Sequence, residues 1–378
     1  MKIAFIYRYF TTTGGVERTL IDKANYLVQK GHSVTIVTFE QGQHPFAYKI
    51  DDRIEHIELD CRRFTLYQYS KYKRVFKLWQ MNRRFVQRWN AFVKKAKPDI
   101  VITTTNSGDF LREILTARDK TNIIVESHTA FIYDMGSNSF IRKLWLMRYM
   151  HIVKRGKMII SLTQGDAHFW RENGANRVIV LPNPLAIYPE KIDDVGKDPY
   201  RIIFVGRFEA VKRINLLISA FTLINEKFPR WHIDIFGDGK KEIIEQFVDD
   251  NLVGRIRIHK PTSDIFSEYK KSQMLVLCSS YEGFGLVLIE AMACGIPCVS
   301  FDCPYGPPEI IKDHYNGLLA KNGDVKDLAD KMEWLITHTE ERYAMGVNAR
   351  QFAAKFKKEI VMKDWENAYN ALIDENVV

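Results

Sequence analysis

The stretch SSYEGFGLVLIEAMACG, residues 279–295, decides the fold of this chain. A buried strand, Met274–Cys278, leads into it, and two glycines separated by Phe284 form a turn before an apolar helix. The first backbone N–H groups of a helix have no intrahelical partners and lie at its positive dipole end, so such a turn suits a phosphate. We therefore expect the amides around Gly285 and Leu286 to bind a negatively charged group.

Two glutamates flank the start of this helix. Glu282 lies in the loop before it, and Glu290 lies on the helix, less than two turns in. A diphosphate at the N-terminus would have one carboxylate on each side, and carboxylates accept bidentate hydrogen bonds from the hydroxyls of a sugar or a ribose. Alternatively, Glu282 is only an N-terminal charge and Glu290 a surface residue. The apolar residues around Glu290 argue against that alternative, because a glutamate among them is rarely only solvated.

The motif E-G-F-G-L-x-L-x-E-A-M-A-x-G-x-P, residues 282–297, resembles the signature of the retaining GT-B glycosyltransferases of family four. The resemblance covers nearly the whole chain. It implies an α/β fold of the GT-B type, in which two Rossmann-like domains face each other across a cleft. It also implies that Glu282 holds the donor sugar and Glu290 the ribose. The donor-binding residues that it implies in this stretch are Phe284, Gly285, Leu286 and Glu290.

Length and composition are those of a globular protein with two domains. The chain has 378 residues, 46% of them hydrophobic, and we expect neither a membrane span nor a signal peptide. The spacings of its five cysteines fit no zinc site, which favours reduced thiols in the cytosol. The net charge of +9 is uneven, since residues 1–182 carry 30 Lys and Arg against 16 Asp and Glu. This asymmetry indicates two domains with different partners.

Strands and helices alternate along the chain, as they do in doubly wound parallel sheets. The segment from Pro182 to Tyr200 is polar and proline-spaced, so it is predicted to be a linker. The first domain then spans residues 1–182 and the second residues 183–360, and the resemblance implies that a last helix, about residues 361–378, completes the first domain. Strands are predicted over residues 2–7, 33–39, 99–104, 122–126, 158–162 and 177–181, and over residues 201–206, 232–236, 255–258, 274–278 and 298–301.

Two cations follow the first strand of the second domain. Arg207 and Lys212 come after Gly206 at the carboxyl end of that strand, where a planar guanidinium and a compact ammonium can together bind a diphosphate. Alternatively, they belong to a solvated charge cluster. The resemblance favours binding, and it implies that both cations stabilise the leaving diphosphate and that Gly206 lies in the donor site. It assigns no such clear role to Arg213.

Three further glycines and one histidine are assigned by the resemblance. Gly14 and Gly15 form a turn before a helix, and Gly237 forms a turn after a strand, although each turn also has a purely backbone explanation. The resemblance implies that the loop of Gly14 and Gly15 approaches the donor sugar-phosphate or the acceptor. For Gly237 the functional alternative is a backbone contact near the nucleotide. His128 follows a buried strand of the first domain. A lone histidine is usually structural, but the resemblance implies that this one faces the transferred sugar.

The segment from Arg62 to Lys97 has twelve Lys and Arg and no acid, with aromatic residues interleaved. The segment Arg142–Lys157 has a similar composition. Basic and aromatic residues together favour an anionic membrane surface or a nucleic acid. The alternative is a pair of amphipathic surface helices with their aromatic residues in the core. The absence of acids favours a binding surface, because a merely solvated face usually mixes both charges.

These observations and the resemblance together predict a cytoplasmic glycosyltransferase that is peripheral on the inner face of the cell membrane, and the resemblance implies that it is a retaining one. It would transfer a hexose or N-acetylhexosamine from a nucleotide sugar, a UDP-sugar above all, to a glycan or a polyprenyl-diphosphate-linked acceptor. We expect no metal and no other cofactor, because cations of the second domain neutralise the diphosphate. The partners are then the nucleotide sugar, the acceptor and an anionic membrane surface, and not a nucleic acid. Two alternatives remain, a basic nucleic-acid-binding protein and a sugar-nucleotide epimerase of the same fold.

Overall fold

In the computed structural model the chain forms two compact units. The first comprises Met1–Leu181 and Met362–Val378, and the second comprises Pro182–Val361. The structure describes residues 1–105, 110–116, 121–130, 140–192 and 196–375, and for residues 140–143 it describes the backbone alone. Each unit holds one parallel sheet with helices between its strands, which confirms the predicted α/β class.

The sheet of the first unit has seven parallel strands in the order β3-β2-β1-β4-β5-β6-β7. The chain builds outward from β1 to β3 and then places β4 on the other side of β1, as in doubly wound folds. The strands are β1 Lys2–Tyr7, β2 Ser33–Thr38, β3 Glu55–Glu58, β4 Ile100–Thr104, β5 Asn122–Ser127, β6 Met158–Ser161 and β7 Val178–Val180.

The sheet of the second unit has six parallel strands in the order β10-β9-β8-β11-β12-β13. Its reversal lies between β8 and β11, so both sheets are built on one plan. The strands are β8 Arg201–Val205, β9 His232–Phe236, β10 Ile256–His259, β11 Met274–Leu277, β12 Cys298–Asp302 and β13 Gly317–Lys321.

Helices connect the strands in both units, and the last one passes from the second unit into the first. The described helices of the first unit are α1 Gly15–Gln29, α2 Lys71–Ala96, α3 Leu111–Leu115, α4 Phe140–Val153 and α5 Gln164–Glu172. Those of the second are α6 Ile214–Ile224, α7 Glu242–Glu245, α8 Ile265–Lys270, α9 Leu286–Ala293, α10 Gly306–Ile310, α11 Val325–Thr337 and α12 Thr339–Ala353, and α13 Lys358–Asp374 follows.

The central strands form the core of each unit. Every residue of β4 and β11 is buried, because helices cover both faces of a doubly wound sheet. All five cysteines are free and buried within these cores. Two edge strands, β3 and β13, were not predicted from the sequence. An edge strand has one neighbour, and β3 is short and polar, so it lacks the apolar run that marks a central strand.

Helix α2 has two different halves. Phe85, Trp89 and Phe92 are buried, so the amphipathic alternative holds for the C-terminal half. Tyr72 is 93% exposed and Trp79 is 55% exposed, so the N-terminal half carries its aromatic residues outward. A membrane contact through Trp89 is therefore excluded. Among the described helices, none is both long enough and apolar enough to span a bilayer.

Candidate active site

The carboxyl edge of the second sheet brings the two predicted donor-binding stretches together. Strand β8 pairs directly with β11, although the chain passes through β9 and β10 between them. Such a switch point opens a crevice beyond the carboxyl ends of the strands, where doubly wound proteins bind their ligands. The segments that leave these two strands are residues 206–212 and 278–286, which contain most of the residues that the motif indicated.

Lys212 and Glu282 form an ion pair at this switch point. Lys212 Nζ lies 2.6 Å from Glu282 Oε1, and the two side chains are 19% and 11% exposed. Ser279 donates its hydroxyl hydrogen to the same carboxylate oxygen. The N–H of Ser280 donates to the carbonyl of Val211 at 2.8 Å, which ties the two segments to each other. A predicted phosphate-binding cation and a predicted sugar-binding carboxylate thus lie in direct contact.

Arg207 does not join that pair. Its guanidinium lies 3.0 Å from the carboxylate of Glu209, and the two side chains are 63% and 45% exposed. An exposed ion pair of this kind is weak, so a diphosphate can compete with Glu209 for the guanidinium. Arg213 has a left-handed backbone with φ of 45° and donates to Asn322 at 3.0 Å. The guanidinium of Arg213 thus binds Asn322, whereas Lys212 binds Glu282.

Two glycine turns lie side by side where β8 and β9 end. The N–H of Gly206 donates to the carbonyl of Phe236 at 3.0 Å, and the N–H of Phe208 donates to that of Asp238 at 2.8 Å. A Cβ at Gly237 would collide with the carbonyl oxygen of Gly206. Packing therefore requires glycine at position 237, whether or not this turn also contacts a ligand.

The loop before helix α9 is held by close backbone contacts. Gly285 has a φ of +92°, in the left-handed region that favours glycine. A Cβ at Gly306 would collide with the carbonyl oxygen of Phe284. The N–H of Glu282 donates to the carbonyl of Pro304 at 2.8 Å. The segment after β12 thus supports the loop that carries Glu282. This role of Pro304 and Gly306 was not predicted.

Glu290 is buried on helix α9, which rules out the surface position that the alternative supposed. The residue is 5% exposed, and its Oε2 accepts a hydrogen bond from the hydroxyl of Tyr269 at 3.1 Å. A buried carboxylate needs donors to offset the loss of water, and helix α8 supplies this one. The structure therefore explains how a carboxylate persists within an apolar helix, while the predicted ribose contact stays a prediction.

In the first unit His128 belongs to a buried charged triad, Lys23, Glu126 and His128. His128 Nε2 lies 2.7 Å from Glu126 Oε2, and Lys23 Nζ lies 2.8 Å from the same oxygen. The side chains of Lys23 and Glu126 are 0% exposed, and that of His128 is 1% exposed. Burial lowers the pKa of Lys23 to about 8, against the opposing effect of Glu126. Burial also lowers the pKa of His128, so its ring is neutral near pH 7.

Gly14 and Gly15 begin helix α1 beside another carboxylate. A Cβ at Gly14 would collide with the side chain of Glu17, which is itself buried. Glu17 Oε1 accepts a hydrogen bond from the hydroxyl of Tyr7 at 3.3 Å. A carboxylate at this turn repels a phosphate, so the turn suits a neutral hydroxyl group better than a diphosphate. The geometry therefore favours the acceptor, or the sugar part of the donor, over the diphosphate of the donor.

Several residues that support these groups were not predicted, although the sequence pattern around one of them, Lys23, could have indicated it. Lys23 comes three residues after Leu20 and four before Leu27, on the apolar face of α1, where a lysine needs a partner. The other residues that were not predicted are Glu126, Tyr269, Ser279, Pro304 and Gly306.

Among the described residues, no three or more His, Cys, Asp or Glu side chains are grouped so that they could hold a metal ion.

Two protein-family models match the chain, one for each half. The model described as Glycosyltransferase Family 4 matches residues 13–187, and the model described as Glycosyl transferases group 1 matches residues 189–352. Together they leave only short terminal segments and the residue between them unmatched.

One relative and two solved structures represent the similarity over the full length. The GalNAc-α-(1→4)-GalNAc-α-(1→3)-diNAcBac-PP-undecaprenol α-1,4-N-acetyl-D-galactosaminyltransferase of Campylobacter jejuni is 26% identical over 97% of each chain. Sucrose-phosphate synthase of Thermosynechococcus elongatus has a TM-score of 0.83 at 20% identity and covers 99% of each chain. A TarM variant of S. aureus in complex with fondaparinux, α-GlcNAc-glycerol and UDP has a TM-score of 0.77 at 16% identity, over 98% of this chain and 100% of that one. The two structures show the likeness of the fold.

Proposed function

This chain belongs to the GT-B glycosyltransferases of the family-four type, and we propose that it is a retaining enzyme that uses a UDP-sugar as its donor. The transferred group is a hexose or an N-acetylhexosamine, and the acceptor is a glycan or a polyprenyl-diphosphate-linked glycan. The name of the Campylobacter relative, whose substrate is attached to PP-undecaprenol, supports this class of acceptor. The UDP bound to the TarM variant supports the choice of nucleotide.

The observation that carries the proposal is the contact of Lys212 with Glu282 at the switch point of the second sheet. A diphosphate beside Lys212 and Arg207 meets two cations and the free N–H groups at the start of α9. Glu282 then accepts hydrogen bonds from the donor sugar, and Glu290 holds the ribose. The cations and amides stabilise the charge of the departing diphosphate, so the proposal includes no metal and no other cofactor.

The reaction that we assign to this arrangement occurs on one face of the sugar. The bond from the anomeric carbon to the diphosphate oxygen breaks, and the acceptor oxygen bonds to that carbon on the same face. The acceptor proton passes to the oxygen of the leaving phosphate. In this proposal His128 contacts a hydroxyl of the transferred sugar, while Gly206 and Gly237 let the backbone approach the nucleotide.

A donor screen followed by a transfer assay tests this proposal. Calorimetry with UDP-, GDP- and ADP-sugars should show binding of a UDP-sugar, and transfer to polyprenyl-diphosphate-linked glycans should then give a product with retained anomeric configuration. Addition of a metal chelator should leave the rate unchanged. Conversion of the donor without any acceptor would instead indicate an epimerase, and an inverted product would overturn the retaining mechanism.

The proposal includes a peripheral attachment to an anionic membrane through residues 71–79 of α2. Nearly every side chain in this segment is exposed, and it combines cations with aromatic residues. Phe76 and Trp79 stack with ring centroids 6.1 Å apart and are 58% and 55% exposed. Basic residues near an anionic bilayer contribute about 1 kcal/mol each, and exposed aromatic rings favour the interface. The predicted basic partner segment Arg142–Lys157 includes side chains that lie outside the described residues.

Vesicle flotation tests the attachment. The protein should float with phosphatidylglycerol vesicles at low salt, leave them at high salt and ignore neutral vesicles. Changing Lys71, Lys73 and Lys77 together to Glu should abolish flotation and preserve UDP binding. Arg74 is kept in this variant because it donates to the carbonyls of Tyr67 and Tyr69.

The matched control changes three exposed lysines of the second unit to Glu and should still float. If the wild type never floats, the basic segment serves a soluble acidic acceptor and the lipid-linked acceptor is withdrawn. The control lysines are Lys227, Lys241 and Lys326, with side chains 64%, 56% and 72% exposed.

A further inference from the structure

The triad of Lys23, Glu126 and His128 is unusual for a protein interior. Lysine and glutamate are rarely buried this completely, and a well-packed apolar pair commonly stabilises a fold as well as a buried ion pair does. Fold stability therefore does not explain why both charges are present. Their common contact does suggest a reason, since a single oxygen, Glu126 Oε2, meets both Lys23 Nζ and His128 Nε2.

This shared oxygen determines where the histidine carries its hydrogen. Burial alone would raise the pKa of the Glu126 carboxyl, but Lys23 and His128 together lower it below its usual value, so the group is ionised. An ionised carboxylate accepts hydrogen bonds and cannot donate them, so the hydrogen must lie on Nε2 of His128. In a neutral ring Nδ1 then carries a lone pair. Among the described residues, Glu126 is the hydrogen-bond partner of this ring, and its contact uses Nε2 alone.

We propose that Lys23 and Glu126 are positioning residues that hold His128 neutral, with its hydrogen on Nε2 and with Nδ1 as a hydrogen-bond acceptor for a hydroxyl of the transferred sugar. The contact with the sugar rests on the proposed function. The protonation state of the ring does not, because it follows from the first unit alone.

Burial is the largest cause of the lowered pKa of His128, and the charge of Lys23 lowers that pKa further. The positive charge of Lys23 offsets the charge of Glu126, and Lys23 Nζ lies 3.2 Å from the ring centroid of Trp365 on α13. Of the other titratable groups around the triad, Glu17 on α1 opposes Lys23, because its charge raises the pKa of His128. Tyr369 on α13 stays neutral, because burial raises its pKa well above the usual value. Among the described residues of this cluster, Lys23 is thus the cation that opposes the carboxylates.

Removal of the Lys23 charge has two chemically reasonable consequences, and both eliminate the acceptor. The ionised Glu126 can draw a second proton onto the ring, which makes His128 an imidazolium. Alternatively, Glu126 takes up a proton and its O–H donates a hydrogen bond to Nε2. The neutral ring then carries its hydrogen on Nδ1. In each case Nδ1 carries a hydrogen and no longer accepts one from a sugar hydroxyl.

The first experiment is a two-bond ¹H–¹⁵N spectrum of the wild-type protein labelled at histidine, with the His128 signals assigned by their loss in His128→Asn. The neutral form with hydrogen on Nε2 is expected near pH 7. A neutral ring with hydrogen on Nδ1, or a doubly protonated ring, would overturn the proposal without any assay of activity.

The second experiment compares Lys23→Met with the double variant Lys23→Met/Glu126→Gln. Lys23→Met should lose the Nε2–H neutral form and transfer about tenfold more slowly near pH 7, the effect of one lost hydrogen bond. The double variant should regain the form and much of the rate, because the neutral amide carbonyl that replaces the carboxylate accepts from Nε2 and draws no proton. Thermal unfolding and UDP binding by the second unit report whether each variant is folded.

The outcomes separate this inference from the proposed function. A folded Lys23→Met protein with the wild-type ring state and the wild-type pH–rate profile contradicts the positioning role. The expected ring states without any sugar transfer contradict the proposed function alone. If Lys23→Met does not fold, the spectra of the wild type and the double variant still decide the question.

Discussion

The two sheets share one strand order, yet the lysine–glutamate ion pair is partly exposed in the second unit and fully buried in the first. Counted from the first strand of each unit, both follow the order 3-2-1-4-5-6, and the first sheet has one strand more. In the second unit Lys212 pairs with Glu282 and its side chain is 19% exposed. In the first unit Lys23 pairs with Glu126 and its side chain is 0% exposed. The strand order of each unit creates a crevice at the carboxyl ends of its strands, but the side chains there determine what can bind.

A lysine–glutamate ion pair can have two different roles, depending on its exposure. An accessible lysine can exchange its carboxylate for a phosphate, so it acts on the substrate. An enclosed lysine cannot reach a ligand, so it acts through a neighbouring side chain. Substitutions in the two units should therefore change different observables.

The largest effect is expected from the accessible cations. Lys212→Met should lower kcat by about 10²–10³-fold with a smaller change in KM, because this charge acts mainly as the diphosphate leaves. Arg207→Gln should change kcat in the same direction. Steady-state kinetics check this, with Lys227→Met as the matched control, an exposed lysine of the same unit that pairs with Glu333. A rise in KM at unchanged kcat would mean that these cations only bind the ground state.

The next effect concerns the nucleotide. Glu290→Ala should weaken the binding of free UDP by about 10- to 100-fold, because a charged hydrogen-bond pair contributes about 1.5–3 kcal/mol. Calorimetry with UDP measures it. Tyr269→Phe is the control, since it removes the hydrogen bond to Glu290 and keeps the carboxylate. Equal losses in both variants would assign the effect to the hydrogen bond between Tyr269 and Glu290. Unchanged UDP affinity in a folded Glu290→Ala protein would contradict the ribose contact.

A smaller difference is expected between the glycine turns of the two units. A Cβ at Gly237 would meet the backbone carbonyl of Gly206, whereas a Cβ at Gly14 would meet the flexible side chain of Glu17. Gly237→Ala should therefore lower the free energy of unfolding by about 1–3 kcal/mol, and Gly14→Ala by less, because a side chain can move aside. Urea denaturation of the two variants measures this. Equal losses would show that the turn of the first unit is as rigid as that of the second.

A last difference is a dependence of stability on pH that belongs to the first unit. The folded pKa of Lys23 is about 8, below its ordinary value of 10.5, so between these values the unfolded chain binds more protons than the folded one. The free energy of unfolding of the wild type should rise with pH across this window relative to Lys23→Met, by at most about 1.4 kcal/mol per pH unit. Urea denaturation of both proteins at about pH 8 and about pH 10 tests this. Parallel curves would show that the pKa of Lys23 is not depressed.

The central strands could be predicted because their signal is local. The predicted strands agree with the observed ones to within one residue at each end, since strands buried on both faces are continuous apolar runs. Two of the four edge strands, β3 and β13, were missed, although β13 contains the apolar run GLLA. For helix α2 the composition indicated a basic and aromatic segment, but not that Trp79 points outward while Trp89 is fully buried. Side-chain direction depends on what packs against each turn of the helix.

Local patterns in the sequence were enough to predict two α/β units, a glycine turn before α9, and the motif that identifies a glycosyltransferase. Which charges meet depends on the tertiary structure. Lys212 and Glu282 are separated by 70 residues, and Lys23 and Glu126 by 103. Such pairs form because the strand order returns β11 to β8 and β5 to the vicinity of α1. An apolar run specifies one element and its buried faces, whereas its neighbours follow from the packing of the whole sheet.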